Sequence, residues 1–405
     1  MAFDAVVVGA GPAGAWAAYR LANGGARVAI IDDSHPREKP CGGGITGRAL
    51  ELVAPALSRD RFSGVDIRSA TFGYGARQTQ VTLARAGLLT VAARRDFDSA
   101  LLGAATAAGA THIRARARRV ERTLTGWTIS TGETDVEGLW LFGADGANSF
   151  VRRTVHRPFT RSELSIATGY FVRGRTSTDV AIDFEDAPAG YLWSFPRPDH
   201  LAVGICAQAD EATPGPLQSR VESWIAGRVP GTNRLERYSW PIPSLSDDAV
   251  TSELPAGDRW MLLGDAAGLV DPITREGIYF ALRSGDDAAE SLLGGESPGP
   301  RYTQRVRDGI HDELRRAARF KARFYRAPFM NLLVTALDRS ARIRDVMADL
   351  VGGRQSYRGL KRRLVGTLEW RLMWDVLGPD ALCPTTSPDS HRGRAPATAG
   401  SSRRR

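Results

Sequence analysis

The chain has 405 residues, 42% of them hydrophobic and 24% charged, a soluble globular composition with room for two or three domains. Its formal charge of +9 is uneven: residues 1–300 carry 31 Lys and Arg against 35 Asp and Glu, residues 301–378 carry 18 against 8, and the rest 5 against 2. This excludes an overall basic nucleic-acid binder; it leaves either a local basic surface for an anionic partner or a solvated arginine-rich helix face.

The first 33 residues, "MAFDAVVVGAGPAGAWAAYRLANGGARVAIIDD", read as strand, glycine turn, helix and strand. They start without a basic leader, and no apolar run nears the roughly 18 residues of a membrane span, so a cytoplasmic protein is expected. Within them Gly9-x-Gly11-x-x-Gly14 precedes Asp32 by about twenty residues, the dinucleotide-binding spacing. Gly9 permits the turn, Gly11 lets the backbone approach a pyrophosphate, and Gly14 permits tight helix–strand packing. Asp32, or Asp33 beside it, can accept from a ribose hydroxyl, and the helix N-terminus favours phosphate.

Next comes "KPCGGGIT" (39–46), in which Cys41 precedes three glycines. A redox thiol, a metal ligand and a close backbone approach to a ligand all fit such a segment. Cys41, Cys206 and Cys383 are too scattered for a disulfide framework or a CxxC pair, which points to a reducing compartment. "ARRDFDSALL" opens a helix with Asp96 and Asp98 near its positive end. "GLWLFGADGANSFVRR" is a buried strand leading into a turn. From 166 to 250 short alternating runs predict an antiparallel sheet. "RWMLLGDAAGLVDPITREGIYFALRSG" returns to strand, turn and long helix, residues 301–378 read as helical, and the Pro/Ser/Gly-rich tail from 379 reads as disordered. The six histidines lack metal-ligand spacing, and GxSxG is absent.

"GADGANSFVRR" and "LLGDAAGLVDPITREGIYFAL" resemble the motifs of FAD enzymes built like p-hydroxybenzoate hydroxylase. The resemblance implies a Rossmann-like α/β FAD-binding domain (1–70, 94–165 and 255–300), a second domain on an antiparallel sheet (71–93 and 166–254), a helical region (301–378) and a tail (379–405). It implies an FAD site made by Gly9, Gly11, Ala13, Gly14, Asp32, Cys41, Gly42, Gly44, Arg95, Val120, Asp145, Gly146, Gly264, Asp265, Gly277 and Ile278. Asp265 would meet the ribityl chain, and the helix start at Gly277-Ile278 would face the flavin edge. Alternatively, Asp145 and Asp265 cap the turns before helices.

"KPCGGGI", "GYLWSFPRPDHLAVGI" and "GDAAGLVDPITREGIYFALRSG" more closely resemble the geranylgeranyl reductase family, which saturates C=C bonds of isoprenoid chains. Two residues depart from that family's pattern: Cys206 stands where it has the second glycine of a GxG, and Arg275 opens Arg-Glu-Gly where members often have Gly-Glu-Gly. Tyr191, Trp193 and Phe195 alternate to one face of a strand, as the wall of an apolar channel or as ordinary sheet core. The resemblance implies a hydrophobic or lipid substrate and NAD(P)H or ferredoxin as electron donor. The basic C-terminal helices, with Trp370 and Trp374, would touch an anionic membrane. Cys41 is the candidate catalytic residue beside the flavin, acting as a thiol or serving as packing. An FAD-dependent hydroxylase and a non-catalytic prenyl-binding escort protein are the alternatives. A halogenase would need an active-site lysine, and none occurs between Lys39 and Lys321.

Overall fold

The computed structural model describes residues 2–83, 87–231 and 235–367. Trp370, Trp374, Cys383 and the expected tail lie outside these residues.

The unbroken apolar run near the N-terminus follows from burial on both faces. Phe3–Val8 runs parallel to Val28–Ile31 and to Asp135–Gly143, with Val6 opposite Ala29 and Leu141. Thr111–Ile113 and Trp260–Leu262 extend this parallel sheet on either side. Helix Pro12–Asn23 crosses Ile278–Leu293 so closely that a Cβ on Gly285 would lie 2.6 Å from the Ala13 carbonyl oxygen. The small residues that make this segment Ala-rich therefore set how near the helices come.

The second sheet has seven strands, in the order Leu235–Pro243, Leu164–Arg173, His200–Gln208, Ala189–Pro196, Asp179–Asp186, Ser69–Tyr74 and Arg77–Thr82. All its pairings are antiparallel except that of Asp179–Asp186 with Ser69–Tyr74. That pair departs from the uniformly antiparallel sheet expected. Ser69–Tyr74 enters from far earlier in the chain, by a connection long enough to permit a parallel neighbour. Leu89–Ala92, placed in the second domain by the sequence reading, instead joins Gly44–Thr46 and Gly64–Asp66 in a small separate sheet.

Helix Pro214–Arg228 covers one face of the large sheet, packing Leu217, Val221 and Ile225 against Leu192, Val203 and Ile205. The other face turns toward helices Asp312–Phe324, Ala327–Arg339 and Ala341–Val351. The basic excess of this helical region is partly spent internally: Arg315 and Arg319 both bind Asp247, and Arg363 binds Asp349. Among the described residues no helix is long and apolar enough to cross a membrane.

Candidate active site

A cavity of about 690 Å³ lies between the parallel sheet, the seven-stranded sheet and the C-terminal helices. Its first arm is the glycine turn. Gly9 has φ +101°, and a side chain there would strike the backbone of Ala144. Gly14 lies under the turn, where a Cβ would collide with the Gly9 carbonyl oxygen, so its role is packing. Gly11 faces the cavity, with only the Arg37 guanidinium near, and caps helix Pro12–Asn23. Asp32 accepts from the Ala10 N–H at 2.8 Å, the Ser34 N–H at 2.7 Å and His35 Nδ1 at 3.0 Å. Burial pushes its carboxyl up, but these donors outweigh it and hold the group well below the usual range.

Behind this arm runs a buried polar chain. His35 Nε2 lies 3.7 Å from Asp98, which accepts two bonds from Arg94 at 2.8 and 2.7 Å. Burial opposes the Asp98 charge, yet Arg94 and His35 bring its pKa down to about 2. Arg94 Nη1 then reaches Cys41 Sγ at 3.6 Å, and the fully buried Arg197 donates to the Cys41 carbonyl at 2.7 Å. Glu38 accepts from the Arg94 N–H and pairs with Arg197. Arg95, next to Arg94 on helix Arg94–Ala107, is half exposed and paired with Asp96 at 3.2 Å. Arg95, expected at the cofactor, is not among the residues lining the cavity; one helical step earlier Arg94 is.

The glycines after Cys41 have a second reason. A Cβ on Gly42 or Gly44 would lie 3.1 or 3.3 Å from the Phe195 ring, and Gly43 (φ +82°) abuts the Ala92 carbonyl. The backbone thus passes flat under an aromatic ring of the second sheet. Asp145 accepts from Ser149 Oγ and from the N–H groups of Phe150 and Val151, capping the turn into helix Phe150–Val155, and burial raises its pKa. Asp265 faces Lys39, with Nζ at 2.9 Å; burial pushes its carboxyl up, but Lys39 more than offsets this and lowers it. Gly146 lines the cavity with open space where a Cβ would stand, and Gly277 and Ile278 bring the start of Ile278–Leu293 to the same wall.

The far arm is aromatic. Tyr191, Trp193 and Phe195 all line it, and strand register sets Phe184 and Cys206 beside Tyr191, and Ile182 and Gly204 beside Trp193. Phe320 and Phe324, one helical turn apart, close it from the C-terminal helices, together with Met347, Leu350 and Tyr357. Tyr191 Oη donates to the Thr274 carbonyl at 2.6 Å and Tyr325 Oη to that of Ile273 at 2.8 Å, pinning the loop that carries Arg275.

Gly9, Gly11, Ala13, Asp32, Cys41, Gly42, Gly44, Asp145, Gly146, Asp265, Gly277, Ile278, Tyr191, Trp193 and Phe195 therefore share one cavity. Gly14 and Gly264 lie just behind it, Gly264 against the Cβ of Ala13. Val120 has its side chain in the core, opposite Ile129 in a hairpin, and Ala115–Ala117 line the cavity nearby. Sequence reasoning missed Lys39, Arg94 and the contribution of the C-terminal helices. The i, i+4 spacing of Phe320 and Phe324 was the signal available for the last. Among the described residues no group of His, Cys, Asp and Glu is placed to hold a metal, so Cys41 has no such partners.

The fit to FAD rests on the glycine cradle, two helix starts facing one cavity and the acceptor Asp32 at the end of the second strand. A sequence profile described as an FAD binding domain matches residues 2–212. Geranylgeranyl diphosphate reductase of Rhodobacter capsulatus is 31% identical over 308 residues, covering 72% of this chain and 75% of that one. Menaquinone reductase of Mycobacterium tuberculosis is 31% identical over 320 residues, covering 71% and 76%. A geranylgeranyl bacteriochlorophyll reductase-like protein from Thermoplasma acidophilum superposes with a TM-score of 0.74 at 22% identity, covering 90% of this chain and 99% of that one. Flavin-dependent halogenases share the fold at 14–20% identity, a likeness of fold alone. The chain belongs to the FAD-binding-domain flavoproteins and, within them, to the geranylgeranyl reductase family.

Proposed function

We propose that the protein is an FAD-dependent reductase that saturates C=C bonds in an isoprenoid or similar hydrophobic substrate. The observation that carries this reading is the single cavity joining the glycine turn to an aromatic wall. Gly9, Gly11 and Ala13 would hold the pyrophosphate, Asp32 the ribose, Asp265 and Lys39 the ribityl region, and Gly277-Ile278 the flavin edge. The bound flavin supplies hydride to one alkene carbon. The chain's own work is to orient the apolar substrate against Tyr191, Trp193 and Phe195, to exclude water and to deliver a proton. Cys41 Sγ, held between Arg94 and Arg197, is the candidate proton donor. Electrons come from NAD(P)H or ferredoxin.

The test is anaerobic incubation of reduced, FAD-loaded protein with geranylgeranyl substrates, followed by mass spectrometry. Gain of a hydrogen pair per double bond is expected. An oxygenated product after admission of air would establish the hydroxylase, and protein purified without flavin colour would establish the escort reading. Cys41→Ser should retain flavin and lower turnover at least tenfold; unchanged turnover makes Cys41 packing. Contact with an anionic membrane is a separate part of the proposal. Among the described residues the exposed large apolar side chains, such as Leu124 and Leu254, all lie before residue 301, so charge alone must carry any such contact there. Salt-sensitive co-sedimentation with anionic liposomes is expected, and salt-independent or absent binding ends that part.

A further inference from the structure

Arg275 is the anomaly of the cavity. Its backbone is left-handed (φ +59°), a conformation that favours glycine, and the guanidinium is buried with no oxygen acceptor for any of its three nitrogens among the described residues, the Cys206 thiol being its one hydrogen-bonding neighbour there. A buried, unpaired charge costs several kcal/mol, so such a group persists where something else repays it. Asp271 is a carboxylate that acts on it, but that carboxyl already accepts from the Ile273 and Thr274 N–H groups and from Tyr357. Lys321, the second cation of this region, donates to Gln208 and Ser244 and adds to the positive field.

A second donor of the far arm has the same character. Trp240 Nε1 is also buried without a partner and lines the cavity beside Arg275, whereas Trp193 Nε1 has the Tyr238 hydroxyl and Tyr357 Oη the Asp271 carboxyl beside it. An indole N–H and a guanidinium only donate. The apolar arm therefore offers donors to a ligand that must bring the acceptors. Arg275 also acts on Cys206, the other residue that departs from the family pattern, so the two departures meet at one spot.

We infer that Arg275 is a specificity-determining residue that binds a carboxylate on the apolar substrate, making this chain selective for unsaturated apolar acids over the corresponding alcohols. A planar guanidinium fork matches a carboxylate in two parallel hydrogen bonds. A phosphate carries about −1.5 to −2 charges and a diphosphate more, which one unpaired guanidinium does not balance. The inference rests on reading this cavity as the substrate site.

The test uses full-length, FAD-loaded, oxidised protein, so binding is read without turnover. Geranylgeranoic acid, geranylgeraniol and geranylgeranyl diphosphate are titrated by quenching of tryptophan fluorescence. Wild type should bind the acid roughly 10- to 100-fold more tightly than the alcohol. Arg275→Gln should abolish that ratio and leave the affinity for the alcohol within about twofold. Arg275→Lys, which keeps the charge and loses the fork, should keep only part of the ratio, and it decides the matter if Arg275→Gln sheds flavin. Equal binding of acid and alcohol by wild type, or a ratio that survives Arg275→Gln, overturns the inference. Tighter binding of the diphosphate than of the acid overturns the carboxylate assignment. Acid selectivity in a protein that reduces no prenyl chain upholds the inference and sinks the reductase reading instead.

Discussion

The two arms of the cavity solve opposite problems. Around the glycine turn nearly every charged side chain has its partner: Asp32 with His35 and Ser34, Arg94 with Asp98, Lys39 with Asp265, Arg197 with Glu38. In the aromatic arm the walls are apolar, and Trp240 Nε1 and the Arg275 guanidinium are buried with no oxygen to receive their hydrogens among the described residues. A cofactor that stays bound favours a site whose polar groups are fixed by the protein. A substrate that enters and leaves can complete hydrogen bonds that the protein leaves open.

The sharpest way to break the filled arm is at Asp98. Asp98→Ala leaves the Arg94 guanidinium and His35 buried without their carboxylate and should cost about 3–5 kcal/mol, with partial loss of flavin. Denaturant melts and flavin retained after gel filtration measure both. The pH dependence has a definite sign. The Asp98 pKa is depressed on folding to about 2, so its contribution is complete above the unfolded value of about 3.9 and is lost as pH falls through about 2. Asp98→Asn should remove that part of the acid loss; an unchanged acid limb means that Asp98 is not ionised in the fold.

The open arm has a mirror-image test. Burial, reinforced by the nearby Arg275 charge, brings the Lys321 pKa down to about 7. Below pH 7 the folded protein carries a buried ammonium, and between about 7 and 10.5 the unfolded chain binds more protons, so stability should rise with pH across that window. The rise should reach roughly 2–4 kcal/mol and vanish in Lys321→Met. Arg275→Gln should move its lower edge to higher pH. A flat profile in the wild type would mean that water reaches this ammonium.

Legibility followed the reach of each interaction along the chain. The glycine turn, Asp32 and the wall of Tyr191, Trp193 and Phe195 depend on spacings of two to about twenty residues, and sequence carries such spacings directly. Arg95 and Arg94 differ by one residue, and choosing between them requires the helix's rotation against the sheet. The meeting of Cys206 with Arg275 depends on strand register and on a loop held by Tyr191 and Tyr325 from two other elements. Phe320 and Phe324 have helical spacing, but nothing local says which cavity they close. The basic character of residues 301–378 pointed outward to a membrane, while the apolar side of the same helices turns inward to the site.

A tyrosine and a tryptophan variant, on two strands of the large sheet, separate a satisfied donor from an open one. Tyr191→Phe removes the hydroxyl that donates to the Thr274 carbonyl and should cost about 1–2 kcal/mol, because a buried acceptor is left bare. Trp240→Phe removes an N–H that has no partner among the described residues and keeps an aromatic ring in the wall. Relief of the unpaired donor, up to about 1 kcal/mol, opposes the small loss of indole contacts, so the urea midpoint should stay level or rise. If instead Trp240→Phe costs as much as Tyr191→Phe, the indole N–H is already bonded in the ligand-free protein. The aromatic arm would then be as internally satisfied as the glycine turn, and its walls would bind substrate by shape alone.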